Sequence, residues 1–374
     1  MRLDSLLLRT IRLRLREPFR ISSGVTHERR ILLVRVRFDD AEGIGECVAA
    51  EAPHYSPETV ETATLVIRRY LAGAVLGGEY PDPPAVAARL ERAARGHPMA
   101  KAAVEMAAWD AFARHRGVSL ADLLGGRERR VPAGVSLGIQ RDTGRLLGQI
   151  ERYLAQGYRR IKLKISPATD RATLDAVRAR FPDVALTVDA NAAYGPDDID
   201  RLAALDEYRL DFVEQPFPPD ALLLHARLQE RLETAVCLDE SITSVQRCRE
   251  ALELGACRVV NIKPGRLGGH HAARQVHDLC AAADVPVWCG GMLESGIGRA
   301  HNVALASLPN MRLPGDTSAS DRYWQRDVVD PPFVLEPDGN VAVPTGPGIG
   351  VVLDESVLRE AEVARLEIHR EDVS

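Results

Sequence analysis

The hydrophobic pattern of the chain changes character near residue 130. Before it, the segments ILLVRVRFDD and EGIGECVAAE carry β-rich runs on either side of Asp39, Asp40 and Gly43, which predicts a hairpin. Ser56-Pro57-Glu58 predicts the start of a helix, because serine caps helices and proline suits their first turn. Apolar residues at helical spacing predict two further helices, over residues 83–95 and 98–116.

From residue 131 onward, short β-rich runs alternate with helical segments. The runs are VPAGVSLGI, RRIKLKIS, ALTVDANAA, DFVEQPF, AVCLDES, RVVNIKPG, PVWCGGMLE and MRLPGDTS. Eight strands alternating with helices are typical of a parallel (β/α)8 barrel. The length of 374 residues suits a barrel of about 250 residues with a second module.

After residue 330 the chain becomes rich in proline and glycine, and we expect it to leave the barrel and rejoin the N-terminal module. The predicted fold class is therefore α/β: a (β/α)8-type TIM barrel with an α+β capping domain formed by the N-terminal region and the C-terminal tail. The predicted boundaries are 1–125 for the capping domain, 126–330 for the catalytic barrel and 331–374 for the returning segment.

Charged residues recur with the period of one strand–helix unit. Lys164, Asp189, Glu214 and Asp239 follow one another at intervals of 25 residues, and Lys263 comes 24 residues later. Each ends or follows a short apolar run, so all five are predicted at the C-terminal ends of successive strands. Active sites of such barrels are built at that face.

Three of these residues are acids, and three carboxylates in one barrel mouth would repel one another without a cation. Oxygen ligands without Cys or His favour Mg2+, with Mn2+ or another divalent cation as alternatives. The sequence thus predicts Asp189, Glu214 and Asp239 as metal ligands. Asn191 and Glu240 are expected to support them through hydrogen bonds.

Lysine is rare here: only four of the 48 Lys and Arg residues are lysine. Lys101 falls in a helical segment, where a surface position is a fair reading, but Lys162, Lys164 and Lys263 fall at strand ends. Alternation places Lys162 and Lys164 on the same face, where two ammonium groups would depress each other's pKa and leave one as a base. Strands two and six lie opposite each other, so a substrate on the metal would have a lysine on each face. That arrangement suits removal of a proton α to a carboxylate.

Other polar residues near the strand ends have open roles. Glu294 and Asp316 end strands seven and eight, and either could orient Lys263 or be structural. Arg266 is a candidate for substrate contact or for tuning Lys263, and structural ion pairing is an equal alternative. His270 and His271 fall at a helix start, where a solvated role is favoured.

Charge and composition exclude several classes of function. The net charge of −5 and the absence of a basic stripe argue against nucleic acid as a partner. No run of 18 apolar residues occurs, so no membrane partner is expected. Six scattered cysteines without a CxxC pair favour reduced thiols and a cytoplasmic protein.

Several stretches resemble the enolase superfamily, specifically its muconate-lactonizing-enzyme subgroup. Within it, the sequence is most similar to the o-succinylbenzoate synthase / N-acylamino acid racemase family, and the likeness covers nearly the whole chain. The stretches that carry it are EMAAWDAFAR, VSLGIQ, GYRRIKLKISP, LTVDANAAY, FVEQPF, VCLDES, NIKPGRLGG and VWCGGMLESGIGRAHNVALASLPNMRLPGDTSASDRYW. The resemblance implies a homo-oligomeric enzyme acting on a small-molecule carboxylate. It would be a lyase making o-succinylbenzoate for menaquinone biosynthesis, an isomerase racemising N-acyl (N-succinyl) amino acids, or both.

Carried over by position, the resemblance assigns roles to individual residues. Lys164 would be the base on one face and Lys263 its counterpart on the other, with Lys162 completing the catalytic set. Arg266 resembles the residue of racemase-competent members, which tilts the interpretation toward dual activity. The capping domain would close over the substrate through Phe19, the ISSG loop (Ile21 to Gly24) and the loop around His54 and Tyr55. The expected substrate contacts in the barrel are Ser136, Arg266, the GGMLES backbone with Gly291, Met292 and Glu294, and Asp316.

Neighbouring families and other classes remain as alternatives. A mandelate racemase would carry a histidine on strand seven, where this chain has GGMLE, and dipeptide epimerases carry D-x-D where Asp316 is followed by Thr317 and Ser318. A dipeptide epimerase or a cycloisomerase is the alternative within the subgroup. A Schiff-base aldolase needs no metal, so the three carboxylates argue against it. A non-catalytic barrel that binds ligands is the alternative from another class.

Overall fold

The computed structural model describes residues 1–21, 24–140 and 142–373. A four-stranded antiparallel sheet, in the order β15-β1-β2-β3, forms the base of the capping domain. Its strands are β1 (Leu3–Ile21), β2 (Gly24–Phe38), β3 (Glu42–Cys47) and, from the other end of the chain, β15 (Glu362–His369). The long β1–β2 hairpin extends beyond this sheet, and Leu15 bridges to Trp324 on the barrel side.

Helices pack on the sheet and enclose a separate apolar cluster. They are α1 (Val60–Val66), continued by a π-turn over Ile67–Leu71 into α2 (Ala72–Val75), then α3 (Pro83–Ala93), α4 (Pro98–His115) and α5 (Leu120–Leu124). The predicted helix start at Ser56 is wrong by about one turn, because Thr59 caps the helix through a reciprocal pair of hydrogen bonds with Thr62.

Helix α4 is the centre of the capping domain and is buried along most of its length. Its alanine-rich surface lets β3 approach closely, because a Cβ at Gly43 would lie only 2.1 Å from the Ala107 carbonyl oxygen. Lys101, expected at the surface, is 2% exposed and forms an ion pair with Glu91 at 2.9 Å. The surface reading of Lys101 was therefore wrong.

Seven parallel strands form the barrel wall in the order β11-β10-β9-β8-β7-β6-β5. They are β5 (Gly134–Leu137), β6 (Arg160–Lys164), β7 (Leu186–Asp189), β8 (Phe212–Glu214), β9 (Ala235–Leu238), β10 (Val259–Ile262) and β11 (Val287–Cys289). The run MRLPGDTS, predicted as an eighth strand, closes the circle through single parallel bridges: Met311 pairs with Val287, and Gly315 pairs with Ala133. Proline and glycine within that run explain why no regular strand forms there.

Helices surround this wall and confirm the predicted barrel architecture. They are α6 (Thr143–Ala155), α7 (Asp170–Arg180), α8 (Ile199–Ala203), α9 (Leu222–Gln229), α10 (Val245–Glu253), α11 (Pro264–Leu267), α12 (His270–Ala282) and α13 (Gly296–Ala306). Short 3-10 turns lie at Pro196–Asp198, Ala204–Tyr208, Ser320–Arg322 and Arg370–Val373.

The last part of the chain returns from the barrel to the capping domain. Its β13 (Asn340–Ala342) pairs with β4 (Arg130–Pro132), and β14 (Val352–Leu353) pairs with β12 (Val329–Asp330). After α14 (Glu355–Ala361), strand β15 pairs antiparallel with β1. Within the described ranges, no helix is both long enough and apolar enough to cross a membrane.

Candidate active site

Three acids lie side by side at the C-terminal ends of neighbouring strands. Asp189 and Glu214 are the last residues of β7 and β8, and Asp239 follows β9 directly. Their side chains are at most 2% exposed. The 25-residue period therefore corresponds to one strand–helix unit of the barrel, and it brings the predicted metal ligands to a single face.

Each acid is paired with a lysine. Lys164 Nζ lies 2.6 Å from an Asp189 oxygen, Lys162 Nζ lies 2.9 Å from Glu214, and Lys263 Nζ lies 2.8 Å from Asp239. As these side chains stand, no group of three His, Cys, Asp or Glu side chains in the described part of the chain is arranged to enclose a metal ion.

The lysines do not neutralise the acids evenly. Burial raises the pKa of Asp239, but Lys263 and Arg266 outweigh it and hold that pKa at about 2. Burial and the Asp189 carboxylate instead raise the pKa of Glu214 to about 8. The ionised form is therefore less favoured for Glu214, in the middle of the row, than for Asp239.

Lys164 and Lys263 stand at opposite ends of this row. Strand β6 carries Lys164, Lys263 follows β10, and the three acid-bearing strands lie between them in the sheet. Burial lowers the pKa of Lys263, but Asp239 and Tyr55 outweigh it and raise that pKa overall. A ligand lying over the acids would therefore have one ammonium group near each end.

Asn191 and Glu240 link the acids from the loops above. Asn191 accepts a hydrogen bond from Lys164 at 2.6 Å, and its side-chain amide donates to Glu240 at 3.1 Å. Glu240 Oε2 has no partner among the described side chains. Burial and the Asp239 carboxylate raise the pKa of Glu240 to about 7.

Lys162 belongs to a buried charge network below the acid row. Its Nζ lies 3.0 Å from Asp316, which Arg160 also contacts at 2.8 Å. Burial lowers the pKa of Lys162, but Asp316, Glu214 and Asp189 outweigh it and raise it overall. The prediction that Lys162 and Lys164 depress each other's pKa is therefore wrong for Lys162, because three acids surround its ammonium group.

The two acids considered for orienting Lys263 have other partners. Asp316 holds Lys162 and Arg160, while Glu294 accepts a hydrogen bond from Asn302 at 2.9 Å. In the described residues neither forms a hydrogen bond or an ion pair with Lys263.

Arg266 and Tyr55 surround Asp239 on the Lys263 side. Arg266 pairs with Asp239 and donates to the Tyr55 hydroxyl at 3.1 Å. Tyr55 Oη lies 3.0 Å from Asp239 and 3.3 Å from Lys263 Nζ, and Lys263 lies 4.7 Å from the centre of the Tyr55 ring. Arg266 thus has the ion-pairing role considered for it, and it shares its partner, Asp239, with Lys263.

The positions carried over from the resemblance for substrate contact are spread around this centre. Phe19 packs edge-on against Tyr323, with ring centroids 6.3 Å apart, and Ser136 lies 3.4 Å from Asp316. Gly291 lies beside Asp316, because a Cβ there would be 3.2 Å from the Asp316 carbonyl oxygen. Met292 is partly buried against the apolar cluster of the capping domain. Ser22 and Ser23 of the predicted ISSG loop lie outside the described residues.

Sequence reasoning missed two polar residues of the barrel interior. Arg160 is 1% exposed and lies 5.0 Å from the ring centre of Trp288. Asn261 donates to Glu214 at 2.7 Å. Both could have been found by alternation, because Arg160 lies two residues before Lys162, and Asn261 lies two residues before Lys263.

Comparisons with known proteins agree with this architecture. Residues 5–125 match the family model "Mandelate racemase / muconate lactonizing enzyme, N-terminal domain", and residues 145–357 match "Enolase C-terminal domain-like". The chain is 47% identical over 370 residues to an o-succinylbenzoate synthase from Geobacillus stearothermophilus, which covers 98% of each chain. It is 47% identical over 353 residues to an N-succinylamino acid racemase from Thermus thermophilus, covering 94% of this chain and 95% of the relative. A crystal structure of an enolase-superfamily member from Listeria innocua superimposes with a TM-score of 0.95 at 40% identity, covering 99% of this chain and 100% of that one.

Proposed function

Because this chain belongs to the o-succinylbenzoate synthase / N-acylamino acid racemase family of the enolase superfamily, we propose that one site catalyses both reactions. Each begins with removal of a proton α to a carboxylate. The observation that carries the proposal is the pair Lys164 and Lys263 at opposite ends of a row of three buried acids. Relatives with both names, at the same identity, support the dual activity.

A divalent cation, with Mg2+ first and Mn2+ as an alternative, fits the donors of this site. Asp189, Glu214 and Asp239 offer only oxygen, which suits these hard cations. Burial and the neighbouring Asp189 carboxylate raise the pKa of Glu214 to about 8, and a cation held by these oxygens would favour its ionised form. These three acids would hold the ion, and Asn191 and Glu240 would keep them in place. When bound, the ion supplies positive charge to a substrate carboxylate and to the charge that develops as the α-proton leaves.

The lysines account for the proton transfers. In the synthase reaction Lys164 takes the α-proton and then returns it to the departing hydroxyl, while Lys263 remains a cation beside the enolate oxygen. The raised pKa of Lys263, where Asp239 and Tyr55 outweigh burial, suits that cationic role. In racemisation the two lysines alternate, one taking the α-proton from one face and the other delivering a proton to the opposite face.

Capping-domain contacts would exclude water from this chemistry. Tyr55 comes from the capping domain and contacts both Asp239 and Lys263, so closure of that domain completes the site from above. Closure expels water and strengthens the electrostatic interactions inside. We further propose a cytoplasmic homo-oligomer that acts in menaquinone biosynthesis on small-molecule carboxylates, without a nucleic-acid or membrane partner.

The test is a proton NMR time course in D2O with Mg2+. The o-succinylbenzoate precursor and N-succinyl-L-phenylalanine are followed in separate samples of the same protein. Comparable rates of dehydration and of α-deuteration with appearance of the D-enantiomer are expected for one site serving both reactions. Fast dehydration with negligible α-deuteration would mean a dedicated synthase, and the reverse a dedicated racemase. No change in either substrate would contradict the proposed substrate class.

A further inference from the structure

A buried glutamate of the capping domain anchors helix α12, which follows residues 263–269 (the Lys263 loop, which includes the short helix α11). Glu105, on α4, is fully buried. One carboxylate oxygen accepts from the backbone N–H of His270 at 2.8 Å, and the other accepts from the N–H of His271 at 2.8 Å and from the Trp109 indole at 2.7 Å. A side chain of one domain thereby caps the first turn of α12 in the other domain.

A histidine pair makes a second connection at the same place. His270 Nε2 lies 2.9 Å from His301 Nδ1, and His301 Nε2 lies 2.8 Å from the carbonyl oxygen of Ile44 on β3. The carbonyl can only accept, so His301 donates through Nε2 and accepts from His270 through Nδ1. His270 is fully buried, so the solvated role expected for it was wrong.

Two glycines of the Lys263 loop leave room for the capping domain to contact the loop. Gly269 has φ of +125°, and a Cβ there would lie 2.1 Å from the Glu105 carboxylate. A Cβ at Gly265 would lie 2.3 Å from the Val48 side chain of the capping domain. Glycine at these positions lets the capping domain approach the loop closely.

Only six residues separate Lys263 from the anchored His270, and they form a compact turn. Leu267 N–H donates to the Lys263 carbonyl at 3.2 Å, and Gly269 N–H donates to the Pro264 carbonyl at 2.9 Å. Because these hydrogen bonds close the turn, a displacement of His270 would also displace Lys263. The start of α12 and the position of Lys263 are therefore coupled.

We propose that Glu105 is a positioning residue for Lys263: by holding the start of α12 against the capping domain, it sets where the Lys263 ammonium group stands relative to the substrate. No comparable contact of Glu105 reaches the Lys164 loop among the described residues. The inference rests on the proposed function, since it assigns Lys263 to one of the two proton-transfer faces. The proposal predicts that a change at Glu105 slows proton transfer by Lys263 more than proton transfer by Lys164.

The experiment compares α-proton exchange of N-succinyl-L-phenylalanine and N-succinyl-D-phenylalanine in D2O with Mg2+. The alanine variants of Lys164 and Lys263 first identify which enantiomer each lysine deprotonates. Glu105→Gln keeps the size of the side chain but places an amide group against one of the N–H donors. Since displacements near 1 Å can cost up to about 100-fold in rate, we expect the Lys263-dependent rate to fall at least about tenfold relative to the Lys164-dependent rate.

Asp110→Asn is the matched control. Asp110 lies on the same helix, is fully buried, and accepts from the backbone N–H groups of Ile44 at 2.9 Å and Ile349 at 2.7 Å. It makes no contact with the Lys263 loop in the described structure, so its variant should lose stability while the ratio of the two exchange rates stays unchanged. If Glu105→Gln does not fold, Trp109→Phe takes its place as the test variant. It removes one donor from Glu105 and retains an aromatic ring, so it should shift the ratio in the same direction by a smaller factor.

The outcomes separate the two claims. If the unmodified protein exchanges neither enantiomer, the proposed function fails, and the role of Glu105 fails with it. If the unmodified protein exchanges both and Glu105→Gln or Trp109→Phe slows both equally, only the positioning role is overturned. A shift of the ratio in Asp110→Asn as large as that in Glu105→Gln would also overturn it, because the effect would then follow from general loosening of α4.

Discussion

Replacement of Asp316 by asparagine would remove the anion that two buried cations share. Lys162 and Arg160 lie 3.0 and 2.8 Å from Asp316, and their side chains are 4% and 2% exposed. Lys162 would keep Glu214 at 2.9 Å, whereas Arg160 forms no other ion pair in the described residues and its buried charge would lose its compensation. Removing one partner of a buried ion pair in this way costs about 3–5 kcal/mol. Asparagine keeps one acceptor oxygen, so we expect a loss near the lower end, about 3 kcal/mol in free energy of unfolding.

Urea unfolding followed by tryptophan fluorescence suits this variant. Trp288, one of three tryptophans in the chain, lies 4.7 Å from Lys162 Nζ and 5.0 Å from the Arg160 guanidinium, so part of the fluorescence signal comes from the network itself. Asp338→Asn serves as the control, since Asp338 forms an exposed pair with Arg130 and should show no measurable change. A loss below about 1 kcal/mol for Asp316→Asn, the level of an exposed pair, would refute the assignment of a buried, uncompensated charge.

Three further predictions concern Mg2+ binding by Asp239, the pH dependence of stability and the metal dependence of activity. Asp239→Asn should weaken Mg2+ binding measured by calorimetry, and unchanged affinity would contradict its assignment as a ligand. Burial, together with the neighbouring Glu294, raises the pKa of Glu46 from 4.5 to about 8. An acid whose folded-state pKa is raised stabilises the fold at low pH and loses that contribution as pH rises through the raised value. The melting temperature should therefore fall as the pH rises from about 4.5 to about 8, and less steeply in Glu46→Gln; equal slopes would refute this. Chelation should abolish activity and Mg2+ should restore it, whereas activity that persists in excess chelator would revive a metal-free Schiff-base mechanism.

The sequence predicted the parts of the site that depend on local periodicity. Asp189, Glu214 and Asp239 could be placed on one face because one strand–helix unit has a nearly constant length, and alternation placed Lys162 and Lys164 on the same side. The barrel closes where expected, although the segment around Gly315 makes single bridges instead of a strand.

Contacts between distant segments could not be predicted in this way. Asp316 is 156 residues from Arg160, and the Tyr55 hydroxyl is 208 residues from Lys263. No periodicity in the chain encodes which acid meets which lysine, so the lowered pKa expected for Lys162 was wrong. The burial of Lys101 and His270 depends likewise on how the capping domain packs on the barrel, and hydrophobic patterning within one helix does not reveal it.

The central claim is that Lys164 and Lys263 serve opposite faces of one substrate, and single-lysine variants test it most directly. Each of Lys164→Ala and Lys263→Ala should lose racemisation of N-succinyl-phenylalanine while keeping the circular dichroism spectrum of the unmodified protein. In D2O with Mg2+, each should still exchange the α-proton of one enantiomer, and the two variants should retain opposite enantiomers. Normal racemisation in either variant, or retention of the same enantiomer by both, would contradict the account.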